Sequence, residues 1–293
     1  MKKTLLGLMA LLLPLTINAQ LISILPGTGR TVTKKEAKKT KKAKTVKEKK
    51  EETTVKEETE EKDFEAHVQA DLVSHYVWRG TDMGGISIQP EAGISWKGLS
   101  LGLFGNAGFD KADPEELDIS LGFEKWGFNI GVTDYWASGT DPENRYLFYK
   151  DGETPHQFEG NIGYSCKYFS LQAYTMFWGN DYKINGDRAY STYVELSVPF
   201  RAGGLNWDIK AGITPMESAG YQRTKIVEGL FGNLTAKENV YFYGEGFTCN
   251  MAAIRATKNL QYKGLRLPFF AEINVNPYLQ KAHFLVGLSV ITL

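Results

Sequence analysis

Beyond its N-terminus, the 293-residue chain lacks any run of about 18 apolar residues, which excludes an ordinary helical membrane protein. It has only 2 Cys, too few for a disulfide-rich scaffold. It has no net charge, since 34 Lys and Arg balance 34 Asp and Glu, and its mean hydropathy is −0.30. It has no Gly-rich phosphate loop and no Rossmann-type unit. These are the averages of an ordinary soluble protein, but three unlike segments produce them.

Residues 1–19 have the pattern of a secretory signal peptide. Lys2 and Lys3 precede an apolar run over residues 5–15, and the small residue Ala19 precedes the expected cleavage site. A buried N-terminal helix is the alternative. The residue directly after Ala19 is Gln20 rather than Cys, so we expect no lipoprotein anchor. We therefore expect the mature protein to be exported. Its expected destination is the bacterial outer membrane, because the rest of the chain has the pattern of a barrel described below.

Residues 20–63 are expected to form a disordered, charged linker. Residues 30–62 contain no aromatic side chain; residues 30–50 have 11 basic and 2 acidic residues, and residues 51–62 have 2 basic and 6 acidic ones. Such a stretch buries too little apolar surface to offset its chain entropy. A basic run can bind nucleic acid or anionic lipid, but export excludes nucleic acid. We therefore expect a solvated periplasmic tether, with peptidoglycan or a periplasmic protein as the candidate partner of residues 30–62.

Residues 64–293 have the composition and alternation of a β-sheet domain. They carry all 16 Phe, 15 Tyr and 6 Trp, and a net charge of −6. From His67 to Arg79, odd positions are mostly polar and even positions mostly apolar, and neighbouring side chains in a strand point to opposite faces. Ten later segments repeat this pattern, which gives eleven predicted strands in all. A weaker twelfth covers residues 250–262, where Lys258 among apolar positions indicates a bulge or a shifted register.

The connections between these segments alternate in length. Short turns such as 97–98 and 203–204 alternate with long polar connections such as 137–154, 179–187 and 215–246. Lipid offers no hydrogen bonds, so an exported sheet crosses it only as a closed barrel. The predicted fold is all-β: a closed antiparallel transmembrane β-barrel of about 12 strands over residues 64–293, with short periplasmic turns and longer extracellular loops. A soluble β-sandwich or lipocalin-like barrel, with its polar face toward water, is the alternative.

Aromatic residues fall near the predicted strand ends, where a membrane barrel has its aromatic girdle. The candidates are Trp78, Trp96, Trp126, Tyr164 and Trp178. The two thiols, Cys166 and Cys249, are predicted at opposite ends of the barrel and therefore free, because a disulfide needs Cα atoms within about 7 Å of each other.

One string of residues resembles a known family. The sequence Tyr76-Val77-Trp78-Arg79-Gly80, followed by Ile88-Gln89-Pro90 and the hairpin pattern of residues 98–109, resembles the TorF-type family of outer-membrane porins of Gram-negative bacteria. The resemblance is best over residues 64–136. It implies an outer-membrane barrel with a transport role assigned from architecture, and it carries no catalytic residues to transfer.

The polar face of the predicted strands is assigned to the lumen. The candidate lumen-lining residues are His67, Asp71, His75, Arg79, Glu91, Asp118, Glu159, Glu195, Asp208, Lys210, Arg255, Arg266 and Glu272. These charges either line and tune a pore or pair with one another inside a filled barrel, and the sequence leaves both open. Arg79 is the leading candidate, because it is predicted on the polar face at the loop end of the first strand.

The leading functional prediction is porin-like passive passage of small solutes or ions, with outer-membrane lipid as the surrounding partner. A filled structural or surface-recognition barrel is the alternative, and a barrel-embedded enzyme is the third. Ser74 and His75 are adjacent on a predicted strand and point to opposite faces, so they form no nucleophile–base pair. His67 and His75 are roughly 26 Å apart along a strand and cannot share a metal ion. We expect no enzyme activity, no cofactor and no metal.

Overall fold

The structure, a computed structural model, describes residues 64–139, 141, 143–229, 232–263 and 265–292. The predicted signal peptide (1–19) and charged linker (20–63) lie outside the described residues. In the described part of the chain, no helix is long and apolar enough to cross a membrane.

The alternating segments form antiparallel strands of about ten residues. The strands are β1 (Phe64–Val73), β2 (Tyr76–Trp78), β3 (Thr81–Gly84), β4 (Ser87–Trp96), β5 (Leu99–Gly108), β6 (Glu116–Lys125), β7 (Phe128–Ala137), β8 (His156–Ser165), β9 (Ser170–Gly179), β10 (Thr192–Ala202), β11 (Leu205–Thr214), β12 (Gly220–Gly229), β13 (Gly232–Tyr241), β14 (Thr248–Tyr262), β15 (Leu265–Asn276) and β16 (Lys281–Thr292).

Twelve of these strands close into a barrel. Going round the wall, the order is β1, β4 to β11, then β14, β15 and β16, which pairs back onto β1. At this closing seam Val68 lies opposite Thr292 and Val73 opposite Gly287. The predicted fold, an all-β closed antiparallel barrel of 12 strands, is confirmed. The strand predicted around residues 250–262 is β14, and its irregularity lies at Asn250 rather than near Lys258, because the β11 register steps from Met251 to Cys249.

The apolar face of the wall points outward. Leu121, Ile130 and Ile162 are 60%, 58% and 62% exposed, while inward neighbours such as Ser120 and Thr133 are buried. Keeping one large aliphatic side chain in water costs about 1.5–3 kcal/mol, and this belt runs round the whole barrel. A strand of ten residues also matches the length that crosses the hydrocarbon core. The wall is therefore that of a transmembrane barrel, and a soluble sandwich or lipocalin-like barrel is excluded.

The two ends of the barrel differ. At one end, which we call the tight-turn end, most connections are two-residue turns, and residues 166–169 form a longer one between β8 and β9. In the turn between β4 and β5, Lys97 and Gly98 have φ of +49° and +91°, as the common hairpin turns require. β1 begins and β16 ends at this same end. The opposite end, which we call the loop end, carries the longer connections. Cys166 lies at the tight-turn end and Cys249 near the loop end, and both thiols are free.

The structure corrects three details of the predicted strands. The first strand stops at Val73, and residues 76–78 leave the wall to pair with β3 in a separate two-stranded sheet. Trp78 is buried inside the barrel rather than lying in an aromatic girdle, whereas Trp96 and Trp126 are exposed at the tight-turn end as predicted. The connection 215–246, predicted as a polar loop, contains the hairpin β12–β13, which pairs only with itself within the described residues.

Candidate functional site

The connection between neighbouring wall strands β1 and β4 folds into the barrel. We call residues 74–86 the inserted segment; it contains β2 and β3. Its turn is made by Arg79 and Gly80, both with positive φ, +44° and +81°, as in the two-residue turns that match strand twist. Tyr76, Trp78 and Met83 are buried within the barrel and belong to its largely aromatic hydrophobic core. The alternation that places apolar groups toward lipid in β1 therefore places them in a protein core in β2.

The tip of the inserted segment crosses the lumen. The Arg79 guanidinium donates to both carboxylate oxygens of Glu159 on β8, at 2.8 and 2.9 Å. Its Cζ lies 4.3 Å from the ring centre of Tyr174 on β9 and 4.5 Å from that of Tyr193 on β10. Strands β8, β9 and β10 lie opposite β1 in the twelve-strand order. The segment therefore starts on one side of the barrel and is fixed on the other.

The Arg79–Glu159 ion pair is shielded from water. The two side chains are only 4% and 1% exposed. The Tyr135 hydroxyl donates to Glu159 at 2.8 Å, and Arg79 also donates to the Tyr243 hydroxyl. Burial raises the pKa of Tyr243 despite the neighbouring Arg79 charge, so this phenol stays neutral. Removing one partner of such a pair leaves an unpaired buried charge, at a cost of about 3–5 kcal/mol.

Other contacts hold the sides of the inserted segment. Tyr76 packs on Phe104 of β5 with ring centres 6.4 Å apart. Burial raises the pKa of the Tyr76 hydroxyl, and the carboxyl groups of Glu116 and Asp118 on β6 raise it further. On the opposite side Trp78 stacks on Phe242, with ring centres 5.4 Å apart. The inserted segment thus touches wall strands on several sides of the lumen.

Gly80 permits the closest approach to the wall. A Cβ on this residue would lie 2.1 Å from the backbone oxygen of Asn250. Asn250 is the bulged residue of β14, and a bulge re-aims the backbone locally. The side-chain Nδ2 of Asn250 also donates to the Tyr243 carbonyl oxygen at 2.7 Å. The bulge therefore brings the wall, the turn of the inserted segment and Tyr243 together.

A second set of polar contacts positions Tyr243. The Ser218 hydroxyl oxygen accepts from the backbone N–H groups of Tyr243 and Gly244 at 2.9 and 3.0 Å. The Ser191 hydroxyl accepts from the N–H of Ala219 at 2.7 Å and donates to Asp181 at 2.5 Å. Burial raises the pKa of Asp181, although its hydrogen bonds with Ser191 oppose this. The base of the β12–β13 hairpin is thereby attached to the β9–β10 connection.

The structure places most of the predicted lumen residues on the inward face of the wall. These are His67, Asp71, Glu91, Asp118, Glu159, Glu195, Asp208, Lys210, Arg255 and Glu272. Two predicted positions need correction: Arg79 lies at the turn of the inserted segment rather than at the end of the first wall strand, and His75 lies half exposed at the loop end. Both changes follow from the break after Val73. Arg266 belongs to β15, and its side chain lies outside what the structure describes.

Many of these charges pair with neighbours along the wall. His67 and Glu91 lie 3.1 Å apart, and Arg255 Nε lies 2.6 Å from Glu272. Lys210 lies 3.7 Å from Glu195 and 3.8 Å from Asp208. Several of these side chains are partly exposed, whereas those of Arg79 and Glu159 are almost completely buried. The lumen is therefore more tightly filled around Arg79 than around these pairs.

The tyrosines that surround Arg79 are not among the residues predicted from the sequence. Tyr174 and Tyr193 do lie on the polar face of the alternation, and two tyrosines among polar positions were the available signal. Tyr243 follows a hairpin that the polar composition of residues 215–246 concealed. No local pattern connects it with Arg79, 164 positions away.

Comparisons with known proteins add little to this description. No family model matches the chain, and no curated protein matches it. One similar solved structure is described as "Unveiling the Mechanism Behind the in-meso Crystallization of Membrane Proteins". It is 6% identical, with 78% of this chain and 83% of that chain covered, and the TM-score is 0.41. A likeness this low carries no argument, so the class of protein, a transmembrane β-barrel, rests on the closed wall and its apolar outer face.

Proposed function

We propose that this chain is an outer-membrane β-barrel closed at its loop end, acting as a filled structural or surface-recognition barrel rather than as an open pore. One observation carries the proposal: the buried, bidentate Arg79–Glu159 ion pair at the tip of a segment that crosses the lumen. This ion pair does not behave as a flexible lining of an open pore, because separating the two side chains would leave each charge buried without a partner.

The signal-peptide pattern of residues 1–19 and the transmembrane wall both support the outer-membrane location. β1 begins and β16 ends at the tight-turn end, and by the usual rule for such barrels this supports a periplasmic position for that end. Residues 30–62 would then reach peptidoglycan or a periplasmic protein, and the longer connections would face outward for surface recognition. Membership of the TorF-type family and the absence of enzyme activity belong to this proposal.

Porin-like passage of small solutes or ions is the second candidate function. It is favoured by charged side chains on the inward face that are partly exposed, such as those of Glu195, Asp208 and Lys210. Barrels of eight strands are filled by side chains and those of sixteen hold a water channel, and twelve strands lie between. Under this candidate the inserted segment would have to move aside before a solute could pass.

Conductance of the purified full chain in planar lipid bilayers separates the two candidates. We expect the unaltered barrel to be silent. The Arg79→Ala variant removes the cation that fixes the tip and leaves Glu159 unpaired, so we expect it to show ion-conducting steps. Glu159→Gln should do the same from the opposite side of the contact. Heat-modifiable gel migration shows whether each variant retains a folded barrel.

Arg145→Ala is the matched control. Arg145 also pairs with a carboxylate, that of Asp141 at 2.9 Å, but it is half exposed in the β7–β8 connection. This variant should be as silent as the unaltered protein. Steady conductance of the unaltered barrel would overturn the closed state and support porin-like passage. Silence of both folded variants would show that the Arg79–Glu159 contact does not maintain the closure.

A further inference from the structure

Three potential metal ligands meet at the loop end of the barrel. His75 lies in the inserted segment, Asp82 lies on β3, and His283 lies on the wall strand β16. One ligand atom from each residue lies within 4.8 Å of the other two. Residues 75, 82 and 283 have no metal-ligand spacing along the chain, so the sequence does not predict a metal site here. Folding of the inserted segment toward β16 brings them together.

The His75–Asp82 pair already has the geometry of two ligands of one ion. His75 Nε2 and Asp82 Oδ2 are 3.3 Å apart. Two ligands at bond lengths of about 2.0–2.1 Å in a tetrahedral site lie about 3.3 Å from each other. The other ring nitrogen, Nδ1, lies 3.0 Å from the Ser74 carbonyl oxygen, to which it can donate. This second contact is the usual arrangement that leaves Nε2 of a metal-binding histidine unprotonated.

His283 supplies an independent indication that a ligand belongs here. Its Nε2 is buried and has no hydrogen-bond partner among the described residues. A buried imidazole nitrogen without a partner is costly, and native structures normally satisfy such groups. The His283 ring lies beside that of His75, with centres 6.3 Å apart. Either nitrogen can be turned toward an ion by a ring flip, since hydrogen bonds assign no fixed orientation to this ring.

The ligand set defines the class of ion. Two imidazoles and one carboxylate suit Zn²⁺ and its neighbours among the divalent transition metals rather than Mg²⁺ or Ca²⁺, which prefer oxygen ligands. The His75 and Asp82 side chains are 41% and 37% exposed, so an ion can enter from the solvent. Three protein ligands leave one tetrahedral position for water or for a group on a bound molecule.

We propose that His75, Asp82 and His283 form a binding site for a divalent transition-metal ion, represented by Zn²⁺, that fastens the inserted segment to the wall. The ion would join the start of that segment and β3 to β16, on the side of the barrel away from the Arg79–Glu159 pair. The site does not depend on whether the lumen conducts, since its ligands lie at the loop end.

Zinc titration of the full chain tests the proposal. The protein carries no histidine tag, is folded in detergent, and is titrated with Zn²⁺ by calorimetry. We expect one ion per chain, and we expect His283→Gln and Asp82→Asn each to weaken binding about tenfold or more. Co²⁺ in place of Zn²⁺ should give a visible absorption band that these variants lose. Heat-modifiable migration verifies that the variants are folded.

His67→Gln is the matched control, because His67 also lies beside a carboxylate, Glu91, but near the opposite end of β1. It should bind Zn²⁺ as the unaltered chain does. Failure of the unaltered protein to bind would overturn the proposal. So would unchanged affinity in folded His283→Gln, which would place the ion elsewhere, for example on the charged linker.

Discussion

At the scale of single residues, Gly80 in the inserted segment has almost no free space around its Cα. Gly80 combines a positive φ of +81° with a backbone oxygen that a Cβ would approach to 2.1 Å. Gly186, in the β9–β10 connection, has a similar φ of +90° with nothing within 4 Å of a Cβ. The two glycines share the same conformational requirement and differ only in the space around them. Comparing them separates backbone strain from a steric clash with the wall.

We predict that Gly80→Ala is far more disruptive than Gly186→Ala. The left-handed conformation alone costs an alanine about 1–2 kcal/mol, so Gly186→Ala should lose no more than that free energy of unfolding. Gly80→Ala must also move the turn away from Asn250, so it should lose more and should produce conducting steps in bilayers. Urea unfolding in lipid vesicles measures the free energy of unfolding. Equal losses for both variants would mean that the turn does not rest against β14.

At the scale of elements, the wall strands could be predicted because lipid and lumen impose opposite polarities on alternate residues. The inserted segment could not, because the apolar face of β1 continues in phase into Tyr76 and Trp78. Lipid and a protein core both select apolar side chains, so the pattern does not reveal where the chain leaves the wall. The hairpin β12–β13 was missed for a different reason: it has no apolar face that alternation would mark.

The candidate site was predictable only in part. The inward orientation of residues such as Glu159 follows from the period of the strand. The choice of Glu159 as the partner of Arg79 does not, because it depends on how far the inserted segment reaches across the barrel. The tyrosines around the guanidinium come from three separate elements. Such contacts are set by the three-dimensional closure of the sheet rather than by local sequence.

We predict that the outer part of the β12–β13 hairpin is dispensable for the barrel. Residues 222–239 can be replaced by an Asn-Gly turn that joins Tyr221 and Val240, which are opposite each other in the hairpin. The retained base still includes the Ser218 contacts to Tyr243. We expect unchanged heat-modifiable migration and a silent bilayer. Loss of the folded form, or new conductance, would show that the hairpin itself supports the closure.

Ser218→Ala is the contrasting change at the base of the same hairpin. It removes the acceptor for the N–H groups of Tyr243 and Gly244, and a lost buried acceptor costs about 1–3 kcal/mol. This variant should therefore be less stable to urea than the shortened hairpin. If the shortened hairpin were less stable to urea than Ser218→Ala, the base of the hairpin would not be the part that stabilises the barrel.

At the scale of the whole molecule, neutrality and a soluble-looking hydropathy arise from averaging unlike parts. The charged segment 20–63 lowers the mean hydropathy, and the barrel has apolar side chains on only one face of each strand. The central claim is that this outer face lies in lipid. Two leucines provide a matched test: Leu121 on the outer wall of β6 is 60% exposed, and Leu147 in the β7–β8 connection is 83% exposed.

The most direct measurement is the accessibility of spin labels at Leu121→Cys and Leu147→Cys in lipid vesicles, in a chain that also carries Cys166→Ser and Cys249→Ser. Oxygen concentrates in the hydrocarbon core, and a polar nickel chelate stays in water. We predict that the label at position 121 meets oxygen and is shielded from the chelate, and that the label at position 147 shows the reverse. Equal access of the nickel chelate to both positions would contradict a membrane-spanning wall.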